Sequence, residues 1–498
     1  MYTFKTKPFD HQARLFEETK DLESHAILWE QGTGKTKALI DIACYNYLEG
    51  RIDALMIVAP GGVNMNWVND EIPTHMPDRV RGVSRILVFD SVKAKQVRWQ
   101  RKNKTIFDHE GLVVVVFTYD NFMTLAGKKF AWKLLQKRKV FAALDEAHYI
   151  KTPKAKRTKS IVASGKYPKM KRILTGTPIS VGPFDIYSQL KYLDENFWDD
   201  LGCKTFDSFK TMFGIFQDMK VTNGGKTYEI KKLLDYKNLD ILKEKVDKIS
   251  DRVLKEDVLD LPEKMYVKRY YSISEVQWEL YKELAAHMMV MLTEKKASVA
   301  KIKLVLLLRF QQLLSGYLPV FDLESDEEDL ERLDENPRLD FLFENLELQI
   351  STGHPGMVWA NFRPDIDIIM ETMKEKGYSA VRYDGAVSDE EAEHNRQLYK
   401  NGHVQFFVGN PAKGREGLTF VNTRTVDYYT NSFRLLDRLQ SEDRAHRSGQ
   451  KNRVLYRDYI GLNPDTNEAL IDMRIVDNLR NKVDIASTIT GDQLKEWI

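Results

Sequence analysis

Ala26-Ile-Leu-Trp-Glu-Gln-Gly-Thr-Gly-Lys-Thr36 decides the fold. The apolar run from Ala26 to Trp29 reads as a short buried strand, a glycine-bearing loop follows, and from Lys35 onward the pattern is helical. A strand, a tight loop and a helix start, in that order, make a seat for phosphate. Gly32 and Gly34 let backbone N–H groups turn toward an anion, and the helix N-terminus adds positive potential. Within the loop, which includes Thr33, Lys35 is the group that reaches the β- and γ-phosphates, and the Thr36 hydroxyl is a ligand for magnesium. Trp29 stands where the general phosphate-loop pattern begins with glycine.

A second segment, Leu144-Asp-Glu-Ala-His148, closes the apolar run that starts at Val140. At the C-terminal end of a parallel strand its acids face the crevice where α/β sheets bind ligands. Asp145 is the expected Mg2+ holder, and Glu146 the acid that orients and deprotonates an attacking water. Adjacent acids after a strand are as often a surface feature, and it is the Lys35 loop that gives this pair its catalytic reading. Far downstream, Gln440 to Gln450 carries Arg444 and Arg447, whose three-residue spacing predicts one face of a helix. Guanidinium groups in that role neutralise γ-phosphate charge in the transition state. By composition alone they are a solvated helix face.

Outward from these segments the chain alternates apolar runs with helical patterns. Ala26–Trp29, Leu55–Ala59, Val113–Tyr119, Val140–Leu144 and Arg172–Thr175 predict strands in the first part. Met357–Ala360, Ala380–Tyr383, Gln405–Val408, Val426–Tyr429 and Val454–Tyr459 do so in the last. Between them, Ser274–Phe310 predicts one or two long amphipathic helices, Asn223-Gly-Gly225 a turn or hairpin tip, and Glu324–Asn336 an exposed acidic connector. The fold class is therefore α/β: two parallel-sheet lobes, 1–195 and 337–498, with a mainly helical insertion and linker over 196–336.

Composition sets the bounds. The chain has 498 residues, 43% hydrophobic and 30% charged, with a net charge of +2. No run approaches the length of a membrane helix, and no signal peptide opens the chain. Cys44 and Cys203 are the only cysteines, which favours a reducing, cytoplasmic setting over a disulfide framework. The balanced total hides basic stripes. Residues 128–139 carry six Lys or Arg and no acid, and residues 151–172 carry nine and none. Such stripes suit a protein that meets phosphate, although each alone is commonly a solvated face.

The order of motifs resembles that of superfamily two helicases, and within them the Swi/Snf-like DNA-dependent ATPases. Phe9-Asp-His-Gln12 resembles the adenine-reading glutamine motif; Ala59-Pro60 with Asn66, Trp67 and Glu71 resembles motif Ia; Phe117-Thr-Tyr119 resembles motif Ib. Asp145–Lys151 is similar to the Asp-Glu-Ala-His box and Leu174-Thr-Gly-Thr-Pro178 to motif III. Arg252–Lys264 looks like the link into the second lobe, and Leu307–Leu318 like the helix after it. Asp384-Gly385, Gly414–Phe420 and Gln440–Gln450 resemble the second-lobe motifs. Two departures stand out: Trp29-Glu-Gln-Gly-Thr33 where the family has Asp-Glu-Met-Gly-Leu, and Arg415 in place of a motif V glycine.

The resemblance implies two lobes of the RecA-like type that bind ATP and Mg2+ and move along DNA by alternating closure. It carries nucleotide contacts to Gln12, Gly417 and Gln440, and nucleic-acid contacts to Asn66, Trp67, Lys151, Lys154 and Thr419. Trp67 read by itself is a better candidate for core. The expected partner is duplex or branched DNA gripped by its backbone, with any protein partner unassigned. The short chain points to a bare motor of the phage or bacterial type. Two other classes stand beside this reading: a strand-separating DNA or RNA helicase, which needs a wedge such as a hairpin, and a non-catalytic nucleic-acid-binding scaffold.

Overall fold

A computed structural model describes residues 2–61, 63–223, 226–293, 299–322, 327–413 and 419–490. It divides into two compact units. Of the described residues, the first comprises those up to 215, 235–260 and 484–490, and the second those within 216–234 and 261–483.

The first unit is built on a seven-stranded sheet. Its strands are β1 (Ser24–Ile27), β2 (Ala54–Ala59), β3 (Arg85–Val88), β4 (Val113–Thr118), β5 (Val140–Asp145), β6 (Met170–Leu174) and β9 (Ser250–Asp251), in the order β3-β4-β2-β5-β6-β1-β9. Every pairing in it is parallel. The five strands expected in this part of the sequence are all present. They read as continuous apolar runs because the sheet is buried on both faces. Met56, Val58, Val115 and Leu144 point into one core cluster, and Leu55, Ile57, Val114 and Phe141 into the other.

Two strands that form a separate sheet, β7 (Gly214–Asn223) and β8 (Lys226–Tyr236), lie between β6 and β9 in sequence. The tip expected at Asn223–Gly225 falls largely outside the described residues.

The second unit holds a six-stranded, all-parallel sheet in the order β10-β17-β16-β13-β15-β14. The strands are β10 (Lys264–Ser272), β13 (Gly356–Trp359), β14 (Ala380–Tyr383), β15 (Phe406–Gly409), β16 (Thr425–Tyr428) and β17 (Val454–Leu462). A small antiparallel pair, β11 (Tyr317–Asp322) and β12 (Glu327–Arg332), precedes β13. Here too both sheet faces are covered: Val358 and Val408 enter one cluster, Trp359 and Phe407 the other. The expected helical stretch resolves into two helices, Glu275–Thr293 and Val299–Leu314.

The middle of the chain corrects the sequence reading. Residues 196–336 are not a separate, mainly helical insertion. Helices Phe206–Phe213 and Leu239–Asp247 and strand β9 belong to the first unit, while β10 opens the second sheet. The reason is physical. β9 has only two residues, and β10 is an edge strand whose residues are mostly half-buried or exposed, so neither shows the apolar run of a central strand. The acidic stretch expected as a connector is in part strand β12, because Tyr317–Asp322 supplies a β-prone partner in register, Tyr317 opposite Arg332 and Leu318 opposite Glu331. Among the described residues no helix is long and apolar enough to cross a membrane, and both cysteines are free and buried.

Candidate active site

Five neighbouring parallel strands of the first unit, β2, β5, β6, β1 and β9, end at one edge of the sheet. Their C-terminal ends lead, in that order, to Trp67, to Asp145 and Glu146, to Thr175, to the glycine loop, and to Arg252. This is how residues more than two hundred positions apart come together, at the carboxyl ends of the strands, where open α/β sheets bind their ligands.

The loop between β1 and helix Lys35–Leu48 needs its glycines. Gly32 has φ 84° and Gly34 φ 85°, both left-handed. A Cβ on Gly34 would also lie 2.1 Å from Gln12 Nε2. The Lys35 ammonium is buried and donates to the carbonyls of Trp29 (2.9 Å) and Glu30 (3.0 Å). Thr33 Oγ1 donates to Glu30 O at 2.7 Å, and Thr36 is half-buried in the helix's first turn. Gln12 accepts from Phe9 N at 2.9 Å, and its Nε2 donates to Gly34 O at 3.2 Å. The glutamine thus ties its own helix to the glycine loop. His11, which the sequence did not single out, reaches Thr33 O at 2.8 Å and packs edge-on against Trp29.

Trp29, the departure from pattern, is fully buried, and its indole N–H donates to Asp251 at 2.5 Å. Asp251 also takes Arg14, Arg252 donates to Leu28 O (2.5 Å) and Gly176 O (3.2 Å), and Lys255 N donates to Glu30 Oε2 (2.7 Å). Strand β9 and the residues after it therefore hold the base of the loop. Sequence reasoning placed Arg252 only in a link between lobes. The two-residue strand that delivers it gave no periodic signal.

Asp145 ends β5 buried. Its Oδ2 accepts from the Trp67 indole at 2.9 Å and its Oδ1 from Glu146 N at 3.0 Å. Burial, and then the neighbouring Glu146 charge, push its carboxyl above the usual range, against Trp67 and Lys35, which lower it. Glu146 has φ 50°, a left-handed conformation that costs a non-glycine residue energy and that places its side chain beside three partners. These are Gln31 Nε2 (3.3 Å), His148 Nδ1 (3.2 Å) and Thr175 Oγ1 (3.5 Å). His148 also meets Thr175 Oγ1 at 3.2 Å, which joins the acid pair to the loop after β6.

Two carboxylates and a hydroxyl are hard oxygen donors. They suit Mg2+, which takes few protein ligands and fills its octahedron with phosphate and water oxygens. Asp145 and Thr36 fit as its protein ligands.

In the second unit the geometry corrects one expectation. Helix Leu435–Glu442 stops before Arg444 and Arg447, which lie in the turns that follow rather than on a helical face. The carbonyls of Arg444 and Ala445 are taken by Phe420 N (2.8 Å) and the Gln450 amide (3.0 Å) instead of by helical N–H groups. Arg444 is buried and its Nε donates to Gln440 O at 2.8 Å. Arg447 is half-buried and donates to Thr419 Oγ1 at 2.8 Å. Gln440 is buried. Gly417, with the rest of 414–418, lies outside the described residues.

Of the expected nucleic-acid contacts, Trp67 is corrected. It is 1% exposed and its only polar group is spent on Asp145, so it is a support for the acid rather than a surface for DNA. Asn66 is half-buried and Lys154 exposed. Lys151 is half-buried, bonded to Ser180 Oγ and 3.8 Å from Asp185. Thr419 is half-buried on Arg447.

A glycine loop and an acid pair on one parallel sheet, with a second parallel sheet carrying an arginine-bearing segment, define an α/β protein built on two parallel sheets. The SNF2-related domain matches residues 16–315 and the helicase conserved C-terminal domain matches residues 338–449, so the chain belongs to the SNF2-related family. It is 25% identical over 435 residues to mouse chromodomain-helicase-DNA-binding protein 1-like, covering 85% of this chain and 44% of that one. It is 25% identical over 439 residues to human SWI/SNF-related matrix-associated actin-dependent regulator of chromatin subfamily A member 1, covering 85% and 38%. The Sulfolobus solfataricus SWI2/SNF2 ATPase core in complex with dsDNA aligns over 99% of both chains at 18% identity, with a TM-score of 0.41. The chain spans less than half the length of the curated relatives it matches.

Proposed function

We propose that this chain is an ATP-dependent DNA translocase: a DNA-stimulated ATPase that moves on duplex DNA without separating its strands. The observation that carries the reading is the meeting of the Lys35 loop, the Asp145–Glu146 pair and Thr175 at one sheet edge of an SNF2-related chain. The loop's backbone and Lys35 bind the triphosphate. Thr36 and Asp145 would hold Mg2+, which would supply neutralisation of phosphate charge. Glu146, held by Gln31, His148 and Thr175, orients the attacking water and takes its proton. Arg444 and Arg447 offset the charge that spreads over the transferring phosphoryl group. Repeated hydrolysis drives the motion, and contacts to DNA phosphates make it salt-dependent and largely blind to sequence.

The test is the ATPase rate with linear duplex DNA, single-stranded DNA, RNA and no nucleic acid, alongside a forked-duplex unwinding assay. Stimulation by duplex with no unwinding is the expected pattern. A rate indifferent to nucleic acid refutes the motor, and efficient unwinding makes the chain a strand-separating helicase instead.

A further inference from the structure

Helix Leu125–Lys137 turns an unusual face outward. Trp132 is 42% exposed, and one helical turn before it Lys128 and Lys129 are exposed as well. Tyr167, 43% exposed, comes from the loop before β6 and meets Trp132 with ring centroids 4.6 Å apart and planes at 86°. Lys166 Nζ sits 5.2 Å from the Tyr167 ring. The helix and that loop come from the two stretches of sequence that hold no acid. The helix's one ion pair among the described residues, Lys137 with Asp108 at 3.4 Å, lies at its far end. A tryptophan and a tyrosine bared to water among exposed lysines give apolar ring faces and unneutralised positive charge in one place.

This face is separate from the nucleotide site. Ala131 and Leu134 pack the helix into one core cluster, on one side of the sheet, while Ala38, Leu39 and Ile42 pack the phosphate-loop helix into the other. Tyr167 precedes β6 and Lys137 precedes β5, so the patch extends toward the sheet edge opposite Asp145 and Thr175.

We propose that Trp132, Tyr167, Lys128, Lys129 and Lys166 form a second nucleic-acid site that takes a single strand. Bases stack on the ring faces and the lysines hold the phosphates. The chemistry selects the ligand. Every base has a π-face that stacks on an aromatic side chain, whereas a duplex keeps its bases inside and offers phosphate alone. The site stands apart from the ATPase reading, because single-strand binding here needs neither ATP nor the Lys35 loop.

The experiment uses the full chain without ATP and an oligothymidylate of ~16 nucleotides, near the upper size for one compact single-strand site, carrying 5-iodouracil for photocrosslinking. The proposal predicts crosslinks that map to Trp132 or Tyr167, affinity weakened roughly tenfold by Trp132→Ala and restored by Trp132→Phe, and a shallower salt dependence in the Lys128→Glu, Lys129→Glu double variant. Duplex-stimulated hydrolysis stays at wild-type level in Trp132→Ala, so a chain without ATPase activity and a patch without strand binding give different patterns. Crosslinks confined to other peptides overturn it. So does a loss of affinity in the lysine variant that Trp132→Ala does not share, which means phosphate contact without stacking. Displacement of nothing but an acidic peptide by the same substitutions assigns the face to a protein partner and likewise overturns it.

Discussion

The indole of Trp67 and the carboxylate of Asp145 each relieve the other's burial: a lone buried N–H or carboxylate oxygen is costly, and together they are satisfied at 2.9 Å. Trp67→Phe keeps most of the packing and removes the donor. It is expected to lower stability by roughly 1.5–3 kcal/mol, the usual worth of a hydrogen bond to a charged group, and to slow hydrolysis, as read by urea unfolding and steady-state turnover. Unchanged stability means the bond is not formed in solution. Gly34 gives a second prediction. Gly34→Ala forces a left-handed alanine and displaces the Gln12 amide, and it is expected to abolish nucleotide binding. Gly50→Ala, at φ 69° with nothing within 4 Å of its Cβ, shares the strain alone and keeps full turnover. Equal binding losses in the two variants exclude the contact with Gln12 as the cause. At this scale Lys35, Asp145 and Glu146 are legible by type and context, and the fold brings them to one sheet edge. The sequence could not display supports such as His11, Asp251 and Arg252, whose roles depend on which strands become neighbours.

At the scale of elements, helix Leu435–Glu442 is anchored to β10 by a buried charge network. Glu442 accepts from Arg438 (2.7 Å), Lys264 (2.9 Å) and the Tyr266 hydroxyl (2.7 Å). Burial pushes the Glu442 carboxyl up, but Lys264 and Arg438 outweigh it and hold it below the usual carboxylate range. A carboxyl lowered on folding contributes stability that is fully present above its unfolded value, about 4.3 for glutamate, and is lost as pH falls through the folded value. Wild-type stability therefore drops on acidification below that point, and Glu442→Gln, weaker at neutral pH, loses part of the slope; parallel pH profiles contradict the network.

His25 works in a neighbouring window. Burial and then Arg172 lower it to about 3, so stability is fully present above the unfolded histidine value and declines as pH falls toward the folded one. Within that window the decline is about 1.4 kcal/mol per pH unit, and His25→Leu removes it; a variant with the wild-type slope between pH ~6 and ~4 excludes a neutral buried imidazole. The ten strands predicted from apolar runs are present: nine are central and apolar on both faces, and β14, at a sheet edge, keeps Val381 and Tyr383 buried. β9 and β10 stayed hidden for the opposite reason: each lies at a sheet edge, where half-burial replaces the run, whereas β3, also at an edge, carries the run Ile86–Phe89 and was not singled out.

For the whole molecule, the two parallel sheets and their order along the chain were legible from motif spacing, while the allocation of residues 196–336 was not. Strands β9 and β10 bind that stretch to both sheets, and no local pattern foretells which sheet an edge strand will join. The arginine pair was legible as a motif and misread as a helical face, since the pairing of Arg444 O with Phe420 N is a long-range event. We propose that Lys35, Asp145 and Arg447 serve a single hydrolytic step coupled to DNA. The measurement that tests it most directly is steady-state ATP hydrolysis by the wild type and by Arg447→Ala at saturating ATP, with and without linear duplex DNA. Strong stimulation of the wild type by duplex is expected, with a fall of about a thousandfold in Arg447→Ala, the scale on which removal of an arginine finger acts. Hydrolysis at the wild-type, DNA-stimulated rate in that variant contradicts it.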